Sequence, residues 1–359
     1  MGVLHSLSVN SLQLNKNEKK VFHGICAHPT ITDSELSKRL HIKLSTLTSI
    51  KRRLSTQGYY RNIMFPFLNR LSCELLAIMY MHFNPVIPLK QRMETTKRTI
   101  EVFDEIFFSV GELEKGFSLS LSQNYTHIGR INDIRTETFG KLGLLERDYP
   151  HEIIFPFETS HIHKFFDFST FLEYLFDLQP AKKTASKSDL FSQTNTIELT
   201  EKEKKVFSTL VAHPTATTQQ IGTMVHLSRH TVARMKKQFF EQGLLQRLIL
   251  PNLRAIGVEI LTLYHIRFNP SKSPSLRDLT FLNSPSTIFF ASRKFEAVLL
   301  SAYPTYQTYK EDEMNKIKYL KENNLFSHPP FISAYMLEQM EVIKDFDFRP
   351  LVNKILGCK

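Results

Sequence analysis

The sequence predicts an α+β fold built twice in one chain: a basic three-helix head followed by a near-neutral layer of strands and helices, then the same again. Three observations predict it. The phrase "EKKVFHGICAHPT", ending at Thr30, returns as "EKKVFSTLVAHPT", ending at Thr215, 185 positions on. The excess positive charge collects in the first third of each copy. Hydrophobic spacing opens each copy at helical period and then turns to strand-like apolar runs.

The offset persists beyond the quoted phrase. Leu36 falls on Ile221, Thr46 on Thr231, Lys51 on Lys236 and Gly58 on Gly243, and "FNP" at 83–85 meets "FNP" at 268–270. The register then slips by a few residues, with "IFF" at 106–108 against 288–290 and "FFDF" at 165–168 against "DFDF" at 345–348. A fixed period broken by small length changes is the mark of tandem duplication, the changes falling in loops. The expected boundaries are a head at 12–66, an α/β domain at 67–178, a linker at 179–196, a second head at 197–251 and a second α/β domain at 252–359. The linker reads "QPAKKTASKSDLFSQTNT", polar and poor in core residues.

Composition narrows the class. With 42% hydrophobic and 23% charged residues the chain reads as a globular protein, and no apolar run approaches a membrane span. The opening "MGVLHSLSVNSLQL" lacks the basic start and apolar core of a secretory signal; it does fit the short, common myristoylation pattern, with Ser6 in place. Three widely spaced cysteines favour buried thiols in a reducing cytosol over disulfides, so a cytoplasmic protein is expected. Residues 15–65 carry ten Lys and Arg against three Asp and Glu, residues 200–251 eight against three, and the remainder is almost balanced. A basic module joined to a neutral one is the electrostatic layout of a nucleic-acid reader with a separate domain.

Each head reads as three short helices. The first is opened by a capping box, Asn15 with Glu18 and Thr200 with Glu203. His28 and His213, in the repeated "AHPT", close it before a proline. The second starts at Thr32 and Thr217, with Glu35 and Gln220 three residues on, and ends near Leu40 and Val225. A tight turn leads to a third helix, expected at 44–55 and 229–241, whose apolar side carries Leu47, Ile50 and Leu54, or Val232, Met235 and Phe239. That is a helix-turn-helix, and the following "GYYRNIMFP" and "GLLQRLILP" supply a wing. The opposite face of the third helix is then fixed by geometry. It presents Ser45, Thr48, Ser49 and Arg52 in one copy and His230, Arg234 and Lys237 in the other. With the flanking Lys43, Thr46, Arg53, Ser228, Arg229 and Thr231, and Arg61 and Arg247 in the wings, these are the candidate DNA-binding residues: early positions reach base edges in the major groove, and outlying Lys and Arg grip phosphates. Lys51 and Lys236 sit nearer the flank and suit phosphate or solubility.

The second module of each copy reads strand, helix, strand, strand, helix, strand, with a terminal helix near "FDF", which is the ferredoxin-like split βαβ order. A winged helix followed by this module resembles the Lrp/AsnC regulators. The phrases that carry the likeness are "LSRHTVARMKKQFFEQGLL", "LPNLRAIGVEILTLYHIRF" and "STIFFASRKFEAVLLSAYPTYQTYKEDEM", with "LSTLTSIKRRLSTQGYY" and "FPFLNRLSCELLAIMYMHF" as first-copy counterparts. The resemblance implies that the heads bind promoter DNA and the α/β domains assemble the protein and sense a small-molecule effector. Members carry one copy and dimerise; a chain with both halves would build the pseudo-dimer internally, or dimerise further, and two unlike third helices imply an asymmetric site. Where the family has Gly then Asp between the middle strands, this chain has "GELEKGFSLSL" and "SRKFEAVLLS".

Other motifs are weaker. "HIH" at 161–163 lacks acidic or cysteine partners at metal-ligand spacing. The 29 phenylalanines, clustered as in "FFDFSTFLEYLF", suit a packed helix or an interface. No phosphate-cradling glycine loop, nucleophile elbow or paired-acid arrangement appears. The expectation is therefore a sequence-specific double-stranded DNA-binding transcription regulator, most at home in an archaeon, without cofactor, metal, membrane or catalysis. The alternative is a protein-interaction adaptor that docks transcription machinery through its winged helices.

Overall fold

The computed structural model describes residues 14–146, 149–179, 191 and 195–358. Apart from Gln179, Phe191, Asn195 and Thr196, the expected linker lies outside the described residues, as does the myristoylation-like start. The first copy runs α1 (Lys16–Ala27), α2 (Asp33–Leu40), α3 (Leu44–Thr56), β1 (Tyr60–Pro66), β2 (Leu75–His82), α4 (Leu89–Glu101), β3 (Ile106–Gly111), β4 (Lys115–Ser122), α5 (Tyr125–Lys141), β5 (His151–Pro156), β6 (Ser160–Lys164) and α6 (Ser169–Leu175). The second runs α7 (Glu201–Ala212), α8 (Thr218–Val225), α9 (Arg229–Glu241), β7 (Leu245–Pro251), β8 (Ile260–Arg267), α10 (Leu276–Leu282), β9 (Thr287–Arg293), β10 (Glu296–Tyr303), α11 (Tyr306–Glu322), β11 (Phe331–Met336), β12 (Glu341–Asp345) and α12 (Arg349–Leu356). The fold is α+β, with winged helix-turn-helix and ferredoxin-like modules in two copies.

The local signals act as the sequence requires. Asn15, Thr32, Thr200 and Thr217 each accept from the backbone three residues on while the acid or amide there bonds back, so α1, α2, α7 and α8 all open with reciprocal capping boxes. His28 and His213 are the C-caps of α1 and α7. His41 and His226 end α2 and α8 in the left-handed region, at φ 52° and 56°, which turns the chain sharply into α3 and α9. In the second copy the turn also needs a glycine. A Cβ on Gly222 would lie 2.6 Å from the Leu227 carbonyl oxygen, which arches back over α8.

Packing divides the chain into two compact units that do not follow chain order. One gathers the described parts of Met1–Asn62, Thr159–Leu190 and Leu248–Glu338, the other those of Ile63–Glu158, Phe191–Arg247 and Gln339–Lys359. The stretch 67–178 is thus shared between units. The physical cause is a strand exchange absent from the sequence expectation, which allowed one strand after the long helix where the structure has two.

In the first unit the sheet order is β11-β8-β10-β9-β6. The four strands of the second copy make the ferredoxin-like order, and β6 from the first copy extends it antiparallel to β9, with Ser160 opposite Arg293 and Ile162 opposite Ala291. After β6, α6 packs against α1, where Glu173 lies 3.3 Å from His23 and the Phe176 ring 6.1 Å from that of Phe22. Val21, Phe22, Leu36, Leu47 and Leu54 fill the core of the head. Asn252 N–H donates to the Tyr59 carbonyl at 2.7 Å, tying the end of β7 to the start of β1.

The second unit mirrors this. Its sheet order is β12-β3-β4-β2-β5, and β12 from the second copy runs antiparallel to β3, Val342 opposite Val110. The following α12 packs on α7. Each exchanged strand is anchored by a buried lysine that donates to a backbone carbonyl: Lys164 to Thr287 O at 2.8 Å, Lys344 to Phe103 O at 2.8 Å. Each also leaves through a phenylalanine at positive φ, Phe166 at 46° and Phe346 at 50°. Phe166 packs on the Phe289 ring and Phe346 on that of Phe108, aromatic burial that offsets the strain of a non-glycine residue there.

Candidate nucleic-acid interface

The third helix of each head turns its apolar side inward and its polar side to solvent. On α3, Leu47 and Leu54 are fully buried, while Lys43, Ser45, Thr46, Thr48, Ser49 and Arg52 are exposed. Lys43, at the N-cap of α3, makes no side-chain cap, since an ammonium cannot accept from the free N–H groups there, and the Thr48 hydroxyl donates back to Leu44 O at 2.9 Å. On α9, Val232, Met235 and Phe239 are buried; Ser228, Arg229, His230, Arg234 and Lys237 are exposed. Ser228 caps α9 by accepting from Thr231 N at 3.1 Å, and Thr231, half-buried, joins its hydroxyl to the same oxygen.

Not every predicted residue stands on the open face. Arg53 is exposed but ion-paired with the buried Glu18, so it ties α3 to α1. Lys51 is paired with Asp33 of α2. Arg61 and Arg247 are half-buried in β1 and β7. Burial pulls the Lys236 ammonium below the usual lysine range, and Arg247 adds to the shift. Lys237 lies 3.6 Å from Glu241 one turn on, a solvent-exposed pair that holds the side chain weakly. α3 contains no acidic residue at all, and the one on α9, Glu241, closes its last turn. Both outward faces are therefore positive or neutral along their first three turns.

The α/β layers carry buried charge that the sequence reading did not single out. In the first unit Lys316 of α11 is buried, ion-paired with Asp312 and bonded to Ser284 Oγ at 2.8 Å; Tyr303 donates to the same carboxylate, and its hydroxyl lies 2.9 Å from that of Tyr264. In the second unit Arg92 of α4 and Arg135 of α5 are 0% and 2% exposed. Nη1 of Arg135 donates to Ser118 Oγ at 2.9 Å, its Nε has no acceptor, and Arg92 has none for Nε, Nη1 or Nη2. The one sequence signal for them was the duplication itself, which sets Arg135 against Lys316 but Ile131 against Asp312. His161 and His163 stand on β6, where His163 Nε2 lies 2.7 Å from Ser292 Oγ and its ring against Phe290. Among the described residues no helix is long and apolar enough to cross a membrane.

No protein-family model matches the sequence, and no curated protein matches it. Solved structures do match. The crystal structure of the siroheme decarboxylase NirDL superimposes with a TM-score of 0.50 at 11% identity, covering 94% of this chain and 98% of that one. A transcriptional regulatory protein of the AsnC family from Pyrococcus furiosus matches at 20% identity and a TM-score of 0.31, over 40% of this chain and 89% of that one. Escherichia coli AsnC matches at 11% identity and 0.30, over 40% and 92%. Identities this low speak to fold alone, and the two regulators match less than half of this chain. The first of these matches corrects one expectation. The sequence reading excluded catalysis, yet a solved structure that covers 94% of this chain is an enzyme. The architecture gives no ground for that exclusion.

Proposed function

We propose that the chain is a double-stranded DNA-binding transcription regulator that reads an asymmetric site through α3 and α9. The observation that carries this reading is the pair of exposed outward faces, free of acid over their first three turns, on helices fixed by their own helix-turn-helix cores. An N-terminal Arg or Ser on such a helix reaches base edges, and peripheral cations neutralise phosphates. Binding measured against salt concentration tests it. Each phosphate contact should add about 0.9 to the slope of log affinity against log salt. Arg234→Ala combined with Lys237→Ala should weaken binding about tenfold or more. Affinity that ignores ionic strength, or that survives this double change, removes α9 from the interface.

The end-to-end likeness to siroheme decarboxylase supports a second reading, in which the chain binds a carboxylated tetrapyrrole and removes carboxyl groups. Anaerobic incubation with siroheme tests it by mass: loss of carbon dioxide from the tetrapyrrole supports the reading, and unchanged mass with an unperturbed Soret band excludes it.

A further inference from the structure

The duplication supplies its own control for the α/β layer of the second unit. α5 and α11 are both seventeen residues long and open at Tyr125 and Tyr306, so Arg135 and Lys316 occupy the same helical position. β4 and β10 are both eight residues long, which sets Gly116 against Ala297 and Ser118 against Leu299. Across the strand, Ser118 faces Ser109 where Leu299 faces Phe290. α4 is six residues longer than α10, and matching their buried residues sets Thr96 against Asp278 and Ile100 against Leu282, so Arg92 lies in the added first turns of α4.

In the first unit this layer is closed. Leu279 packs against the cluster that holds Phe290, Leu299 and Ala297, and the buried ammonium of α11, Lys316, has Asp312 one turn away. In the second unit the phenyl ring and isobutyl group of the strands become serines, the internal counter-ion becomes Ile131, and the added turns of α4 bring in Arg92. A buried cation without a counter-ion is costly, and two on one face are harder to justify by stability. Burial alone lowers both arginines, Arg92 to about 10 and Arg135 to about 9, with no neighbouring carboxylate acting to raise them. Glu112, the residue after Gly111, lies 3.7 Å from Lys115.

The two guanidiniums converge on one strip of sheet. Arg135 bonds Ser118 on β4. Arg92 lies over the Phe83 ring, 4.2 Å from its centroid, and its Nη1 is 3.7 Å from where a Cβ on Gly111 would stand. Gly111 pairs with Gly116, two residues before Ser118, so the points approached are about 7 Å apart along the strand. We propose that the face of this sheet under α4 and α5 is a buried carboxylate-binding site, in which Arg92 and Arg135 clamp the two ends of a small dicarboxylate over the Ser109–Ser118 pair. Arg suits this task because its planar fork meets a carboxylate through two parallel bonds. The site supplies the anion that Asp312 supplies internally in the other unit. This inference stands apart from both functional readings above and fails or survives without them.

The test is titration of the full-length chain with sodium succinate, followed by calorimetry and by melting temperature, against sodium chloride at matched ionic strength. One succinate per chain should bind saturably and raise the melting temperature beyond the chloride control. Arg135→Lys should weaken it about tenfold, as a forked contact becomes a single one. Arg92→Leu should abolish the succinate response yet raise the melting temperature of the ligand-free protein by about 2–4 °C. Three results overturn the proposal: succinate at millimolar concentration acting no differently from chloride, binding that persists in both variants, or a ligand-free Arg92→Leu protein less stable than the parent. The last would mean that the guanidinium has its partner within the fold.

Discussion

Buried lysines give the protein an unusual titration. Lys164 donates to Thr170 Oγ1 and Thr287 O, both uncharged, and burial pushes its ammonium down to about 8. Below that pH the lysine is charged in both folded and unfolded chains, and the folded state carries the cost of burying it. Between about 8 and 10.5 the folded lysine is neutral while the unfolded one still holds its proton, so the unfolded chain binds more protons and stability rises with pH, by at most about 3 kcal/mol. Lys316 and Lys344 are lowered by burial too and add to the same slope. Tyr264 and Tyr303 act oppositely: burial raises both, so stability falls once unfolded tyrosines ionise above about 10. Urea unfolding at a series of pH values should therefore show a maximum near pH 10, and Lys164→Met should flatten the rise from pH 8. A parent protein whose stability falls steadily from pH 8 would contradict the burial of these ammonium groups.

The helix-turn-helix depends on contacts a single element cannot make alone. α9 is held at its start by Ser228 and at its base by the Leu227 carbonyl, which lies against Gly222; Leu227 N–H also donates to Gly222 O at 2.9 Å. Gly222→Ala puts a methyl group 2.6 Å from that oxygen. The turn must shift, at about 1–3 kcal/mol for an overpacked site, and α9 shifts with it. The expected outcome is a lower melting temperature together with a loss of DNA affinity larger than either Arg234→Ala or Lys237→Ala gives alone. Unchanged affinity would separate the seating of α9 from recognition. The first copy has Ser37 at the matching place, so its turn accommodates a Cβ by other packing.

Strand exchange makes the two copies interdependent. β3 needs β12, and β9 needs β6, to cover edges whose backbone groups otherwise stay unpaired. Separately expressed halves, 1–190 and 191–359, should not remain folded monomers: each should aggregate or self-associate by exchanging with another copy of itself, and co-expressed halves should copurify. Light scattering checks this, and a monomeric half with a cooperative melt would show that the exchanged strands are dispensable. The same exchange explains why the sequence divided the chain in order while its packing does not.

The sequence by itself determined everything set by near neighbours along the chain. Four capping boxes, the third-helix faces, the long helix at 125–141 and the succession of strands and helices along the chain rest on hydrogen bonds and periodicities within a few residues, and Asn15, Thr32, Thr200, Thr217 and Ser228 announce the helix starts individually. Only the tertiary structure decided which sheet β6 and β12 join, because a short strand's own residues do not specify a distant edge. It also decided which cations are free. Arg53 and Arg52 are neighbours of one residue type, yet one is spent on Glu18 and the other faces solvent. Arg92 and Arg135 look like ordinary helix-surface arginines until packing closes over them, because burial is a property of what lies opposite a side chain and not of the side chain itself.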